Sequence, residues 1–313
     1  MGTRLSTLMA FLTIFSVNVF AQWDVQFSDY TTLKSFHNPA VSGVDGKLNV
    51  MMAYSMQMAG YDNAPSTMFF GADIPVYFLG PRHGAGASLL SDEIGMFKTQ
   101  KISIQYSYNF MLGKRGRLAI GVQGAMLSET IDPSGVELED NNDPAFPSSM
   151  VEGTAFDVGM GVYYTESKWW AGLSGMHLMS PLIEMGERHE IEISPLYYLM
   201  GGYNIKLKNS LLTLQPSFLV QTDLQSWRED VQCKVIYEYD EKKFFGGLGY
   251  SPNTSVTFMI GGNFHGVALG YSYQLYTTGV GAQHGTHELV VNYITELDLF
   301  KKGRNRHKSV RFL

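Results

Sequence analysis

Few side chains of this chain are spaced for chemistry. His177, three residues after Ser174, is the only pairing from which a hydrolase placed at the rim of a fold could draw a base and a nucleophile. His83, His265, His284 and His287 are scattered and share no ligand spacing with carboxylates. There is no His-Glu-x-x-His, no P-loop and no Gly-x-Ser-x-Gly, and "GVGAQHG" (Gly279 to Gly285) has the wrong spacing for a dinucleotide fingerprint. "EDNND" (Glu139 to Asp143) clusters the oxygens that a calcium ion favours, but EF-hand spacing is missing and the stretch reads as a solvated acidic loop. The single cysteine, Cys233, excludes a disulfide framework or a Cys-rich metal site and reads as a buried or lipid-facing small residue. The expectation is a protein that is not an enzyme and uses neither cofactor nor metal.

The elements that hold these residues explain the scarcity. The 313 residues are 45% hydrophobic and 17% charged, with 33 glycines, too apolar and too regularly patterned for disorder. A net charge of −6 argues against a nucleic-acid partner. "MGTRLSTLMAFLTIFSVNVFA" has the basic start at Arg4, the apolar run from Leu8 to Phe20 and the small residues Val19 and Ala21 of a secretory signal peptide. Beyond it no window is long and apolar enough to predict a membrane-spanning helix.

The rest of the chain alternates. In "LAIGVQGAM", Leu118, Ile120, Val122 and Met126 are large and apolar, whereas Ala119, Gly121, Gln123 and Ala125 between them are small or mildly polar. Ile102, Ile104, Tyr106, Tyr108 and Phe110 alternate in the same way with Lys101, Ser103, Gln105, Ser107 and Asn109. Strands whose large residues meet lipid and whose small residues meet an interior have this pattern, whereas a soluble β-sandwich would carry more charge on its open face. Segments of this type fall at 47–56, 66–75, 84–90, 98–110, 116–127, 154–165, 168–177, 195–206, 210–221, 229–239, 243–250, 254–264, 265–275 and 286–296. The predicted fold is all-β, a transmembrane antiparallel β-barrel of about 14 strands, with inward rows too poor in charge to form a selectivity ring.

Connection lengths test that count, because a barrel of this class has short periplasmic turns and longer external loops. Most links obey: "LGKRG", "ES", "KLKNS" and "DEKK" are tight, while 57–65, 128–153, 178–194, 222–228 and 276–285 are long; "VYFLGPRH" and "SPNT" are exceptions. The implied division is residues 1–21 signal peptide, 22–46 an N-terminal periplasmic or lumenal segment, 47–296 an outer-membrane β-barrel, and 297–313 a basic C-terminal tail. Both termini are expected in the periplasm. The first segment carries Trp23, Phe27, Tyr30, Phe36, Asn38 and Pro39 with too little alternation for a strand, so its aromatics need a protein surface or the lumen to bury against. The tail carries Lys301, Lys302, Arg304, Arg306, Lys308 and Arg311, suited either to solvation or to docking an acidic partner. These twelve residues are the candidate partner-docking set.

The blocks "AQWDVQFSDY", "HNPAVSG", "GYDNAPSTMFFGADIP", "GAGASLLSDEIGMFKTQKISIQYSYNFML", "FDVGMGVYYTESKWWAGLSGMHL" and "HELVVNY" together resemble the PorP/SprF family of the Bacteroidota type IX secretion and gliding machinery, from residue 21 to about 295. The resemblance implies an outer-membrane accessory of protein secretion. PorP-like members imply partners of the PorK and PorN ring-protein kind and a PorE-like peptidoglycan-binding protein. SprF-like members imply a surface adhesin or the C-terminal domain of a cargo instead. A passive channel for small solutes is the reading from another class.

Overall fold

A computed structural model describes residues 24–296 apart from 62, 77–81, 114, 136–146, 148, 187–188, 209–210, 241 and 279–283. The alternating segments form strands β1 (Leu48–Met56), β2 (Ser66–Pro75), β3 (His83–Ile94), β4 (Phe97–Leu112), β5 (Gly116–Ile131), β6 (Val151–Thr165) and β7 (Trp169–Met176). A separate hairpin, β8 (Leu182–Met185) and β9 (His189–Glu192), follows. The barrel resumes with β10 (Leu196–Tyr203), the two-residue β11 (Ile205–Lys206), β12 (Leu212–Thr222), β13 (Trp227–Tyr239), β14 (Lys242–Ser251), β15 (Ser255–Phe264), β16 (Val267–Tyr276) and β17 (Thr286–Thr295). Neighbours pair antiparallel throughout, and β1 closes on β17 from Leu48 opposite Thr295 to Met56 opposite His287, which makes a fourteen-stranded closed barrel. Among the described residues no helix is long and apolar enough to cross a membrane.

Each expected strand segment has its counterpart, and the facing follows the alternation. Ile104, 69% exposed, and Ile102, Ile120 and Val122 point outward, whereas Ser103, Gln105, Ser107, Ala119 and Gln123 are buried inside. Two differences from the sequence expectation matter. β3, β4 and β5 run farther than 84–90, 98–110 and 116–127, because pairing continues through polar residues beyond the apolar outer rows; β3 and β4 meet in a tight turn at Gly95, φ +59°. The stretch 178–194 is no plain loop, since its β8–β9 hairpin packs Ile183 and Met185 against Leu127 and Ile131 of β5.

The lumen is occupied by the chain's own N-terminal segment. It contains one helical turn, α1 (Lys34–His37), and a 3-10 turn (Pro39–Val41) whose start is capped by the Asn38 side chain accepting from Ala40 N at 2.9 Å. Asp24 lies beside His177, just past the end of β7, and Val44 lies beside Arg117 at the start of β5. Residues 24–46 therefore run through the barrel from the long-loop mouth to the short-turn mouth. Asp24 and the end of β17 therefore lie at opposite mouths, because the segment crosses the lumen before β1 begins.

Candidate functional site

The interface between this plug and the inner wall holds the polar chemistry of the described chain. Its apolar contacts come first. Phe27, Leu33 and Phe36 bury against Met51, Phe69, Leu90 and Val290, while Tyr30, Ala40 and Val44 bury against Ala119, Tyr163, Trp170 and Leu219. Phe36 meets Phe27 and Phe69 edge-on, with centroids 5.5 and 5.1 Å apart. Lys34 Nζ sits 4.1 Å from the centre of the Trp170 ring.

Small residues on the wall admit the plug backbone. A Cβ on Gly121 would fall on the backbone of Pro39 and Ala40, one on Gly161 on the Asn38 side chain, and one on Gly84 on the carbonyl of Ser42. Hydrogen bonds then hold each turn of the plug. Asn38 Nδ2 donates to the carbonyls of Val162 (3.0 Å) and Leu173 (3.3 Å), and Gln105 accepts from Ser42 Oγ at 2.6 Å. Gln105 Nε2 donates to Ser35 O at 3.2 Å and to Gln123 Oε1 at 2.9 Å. Arg117 donates to Val44 O, Asp73 accepts from Gly43 N at 2.8 Å, and Glu288 accepts from Ser28 N at 2.8 and 2.9 Å.

Charges are matched across the same interface. Asp29 and Lys234 form a buried pair at 2.5 Å, and Asp29 also accepts from Thr31 and Thr32. Lys234 and the two threonine hydroxyls supply the partners that a carboxylate buried at Asp29 needs. At the long-loop mouth His177 lies between Asp24 (3.4 Å) and Asp157 (3.0 Å), with Lys101 3.8 Å from Asp24.

Phe27, Tyr30, Phe36, Asn38 and Pro39 of the candidate docking set are thus brought together, but inside the barrel. Of the two surfaces expected to bury them, a partner or the lumen, they meet the lumen, so their faces are covered by the wall and are not open to a partner. Trp23 and the tail cations Lys301, Lys302, Arg304, Arg306, Lys308 and Arg311 lie outside the described residues, as do Glu139 to Asp143 of the acidic loop. Among the described residues no cluster of His, Cys, Asp and Glu could hold a metal. Ser174 and His177 do not pair: the serine donates to His37 O, and the histidine is taken by two carboxylates. Cys233 is a half-buried free thiol on the outward row of β13.

Lys101 lies in the inward row expected of β4, but nothing in the sequence singles out Lys101, Asp157, Lys234 or Glu288 as charges that meet the plug. Each stands in the small-polar row of an amphipathic strand, and that placement was the available signal.

Comparison with known proteins bears on both the barrel and the whole chain. The structure is similar to that of a Pseudomonas aeruginosa FadL homologue, with TM-score 0.50, 12% identity, and 83% of this chain and 93% of that one covered. It is also similar to the P. putida toluene transporter TodX, with TM-score 0.46, 10% identity and coverages of 83% and 92%. At 12% identity the first likeness concerns the outer-membrane barrel fold alone. No curated protein matches the sequence. Residues 19–293 match the family described as type IX secretion system membrane protein PorP/SprF.

Proposed function

Because the chain belongs to the PorP/SprF family of type IX secretion system membrane proteins, we propose that this outer-membrane barrel serves protein secretion as a docking component and not as a pore. The observation that carries the reading is the occupied lumen. A barrel of this strand number is wide enough to conduct unless filled, and residues 24–46 fill it with apolar, hydrogen-bonded and ion-paired contacts on many strands. Traffic through the centre would have to break all of them. The barrel acts without catalysis and without a cofactor.

In this reading the short-turn rim faces the periplasm, as loop lengths in such barrels dictate. That rim exposes Lys47, Arg82, Arg115, Lys168, Lys206, Lys208 and Lys242, and the end of β17 leads from it toward the basic tail. Cations on many turns suit an acidic surface of broad extent, in keeping with a ring assembly of the PorK and PorN kind and a PorE-like peptidoglycan-binding protein. An SprF-like anchor for one surface adhesin is the second reading, favoured by the hairpin β8–β9 and the extended β3–β5 strands at the other rim.

Mild-detergent affinity purification with mass spectrometry tests the proposal. Recovery of periplasmic ring proteins, reduced when the rim cations Lys206, Lys208 and Lys242 are changed to Glu, is the expected result. Recovery of one large adhesin alone favours the second reading, and a barrel that purifies without any secretion component contradicts both.

A further inference from the structure

At the long-loop rim the inner faces of β3, β4 and β5 continue past the plug, and a vestibule of about 330 Å³ lies between them and the β8–β9 hairpin. Its walls have two characters. Ile94, Phe97, Leu127 and Ile191 are apolar, and the first two are about half exposed, so the space opens outward. Asp92 and Glu129 also line it, 6% and 8% exposed. Asp92 accepts one bond from Thr67 Oγ1 at 2.5 Å, and Glu129 one from Thr99 Oγ1 at 2.9 Å. Neither has a Lys or Arg of the described chain within ion-pair distance; Lys101 is engaged with Asp24, and His177, which also lines the vestibule, is engaged with Asp24 and Asp157.

A carboxylate taken from water beside apolar walls needs a cation or several donors, and each of these has a single hydroxyl. Two carboxyls held out of water without a cation select a basic ligand, which would favour their charged form, and the isoleucines and phenylalanine select one with apolar flanks. The shape narrows it further: among the described residues the strand pairing of β9 is with β8, and the far side of Glu190–Glu192 is a strand edge of the kind that extended peptides lengthen. We propose that the vestibule seats an extended polypeptide segment presenting a lysine or arginine between apolar side chains, with Asp92 and Glu129 as its charge partners. The inference rests on the secretion reading above only for where such a segment comes from.

The test uses the full chain in nanodiscs of zwitterionic lipid and a fluorescein-labelled peptide, Leu-Lys-Val-Arg-Val-Lys-Leu, at physiological salt. Saturable binding is expected, absent for the same peptide with Gln in place of Lys and Arg. It should weaken about tenfold or more in Asp92→Asn/Glu129→Gln and stay within about twofold in Glu93→Gln/Glu152→Gln on the same rim. Should the first double variant fail to fold, carbodiimide coupling on the unaltered protein gives an independent readout, since amide formation with loss of water should join a peptide lysine to Asp92 or Glu129. No saturable binding, equal binding of the neutral peptide, equal weakening in both double variants, or couplings only elsewhere would overturn the inference. Loss of ring proteins in purification, with peptide binding intact, would instead count against the secretion reading.

Discussion

Gly121 of β5 and Gly161 of β6 stand directly opposite each other in one antiparallel ladder, and the plug at residues 38–40 crosses both. This relationship explains the small row of "LAIGVQGAM". Its inward face is small because it meets another stretch of the same chain, so the requirement is one of contact distance and not of polarity.

Filling that contact should loosen the plug. Gly121→Leu places a side chain where Pro39 and Ala40 lie, and overpacking of this kind costs about 1–3 kcal/mol. Amide exchange of residues 36–42 should accelerate by about tenfold or more while β4–β6 keep their protection, with the outward Ile120→Leu as a control. Unchanged protection of 36–42 would contradict the interlock.

The buried pair Asp29–Lys234 should be costly to halve. Lys234→Ala leaves a buried carboxylate without its cation, a loss of about 3–5 kcal/mol, and Asp29→Leu/Lys234→Met together should recover much of it. Urea unfolding followed by heat-modifiable migration measures both. A double variant as unstable as the single one would show that the charges are not each other's partners.

The lipid-facing row should reject charge. Ile104→Arg should cost about 2–4 kcal/mol if it lies near the bilayer midplane. Alternation alone would make Gln123→Arg a mild control, but Gln123 is bonded to Gln105 beneath the plug, so this change should expose residues 35–42 to exchange while sparing the strands. A lumen tolerant of Gln123→Arg, with the plug still protected, would argue that the segment is not held there.

The upper anchor of the plug should depend on pH. Burial lowers the His177 imidazole, but Asp157 and Asp24 raise it further, and the net is above its ordinary value. A raised folded value means that the stabilisation is full below the unfolded value and is lost as pH rises through the folded one. Protection factors at residues 24–33, with the intrinsic base-catalysed exchange divided out, should therefore fall from neutral to alkaline pH, and His177→Asn should flatten that dependence. Equal pH dependence in both proteins would remove His177 from the anchor.

Much of this architecture is legible in the sequence, and the illegible part has physical causes. Fourteen strands can be read because lipid imposes alternation on each of them. The aromatics Phe27, Tyr30 and Phe36 announce that residues 22–46 must bury against something, but periodicity carries no information on whether that surface is a partner or the lumen. The short β8–β9 hairpin is harder to see, since Ile183 and Met185 alternate over one turn of strand only, although Gly186, φ +66°, marks its bend. Asp29 and Lys234 are 205 residues apart, and no local pattern links them.

Single-channel recording in planar bilayers separates a filled barrel from a pore, comparing the unaltered protein with one lacking residues 24–43. No steady open state is expected for the first, and a large, persistent conductance is expected for the second. A steady large conductance from the unaltered protein would contradict a filled barrel.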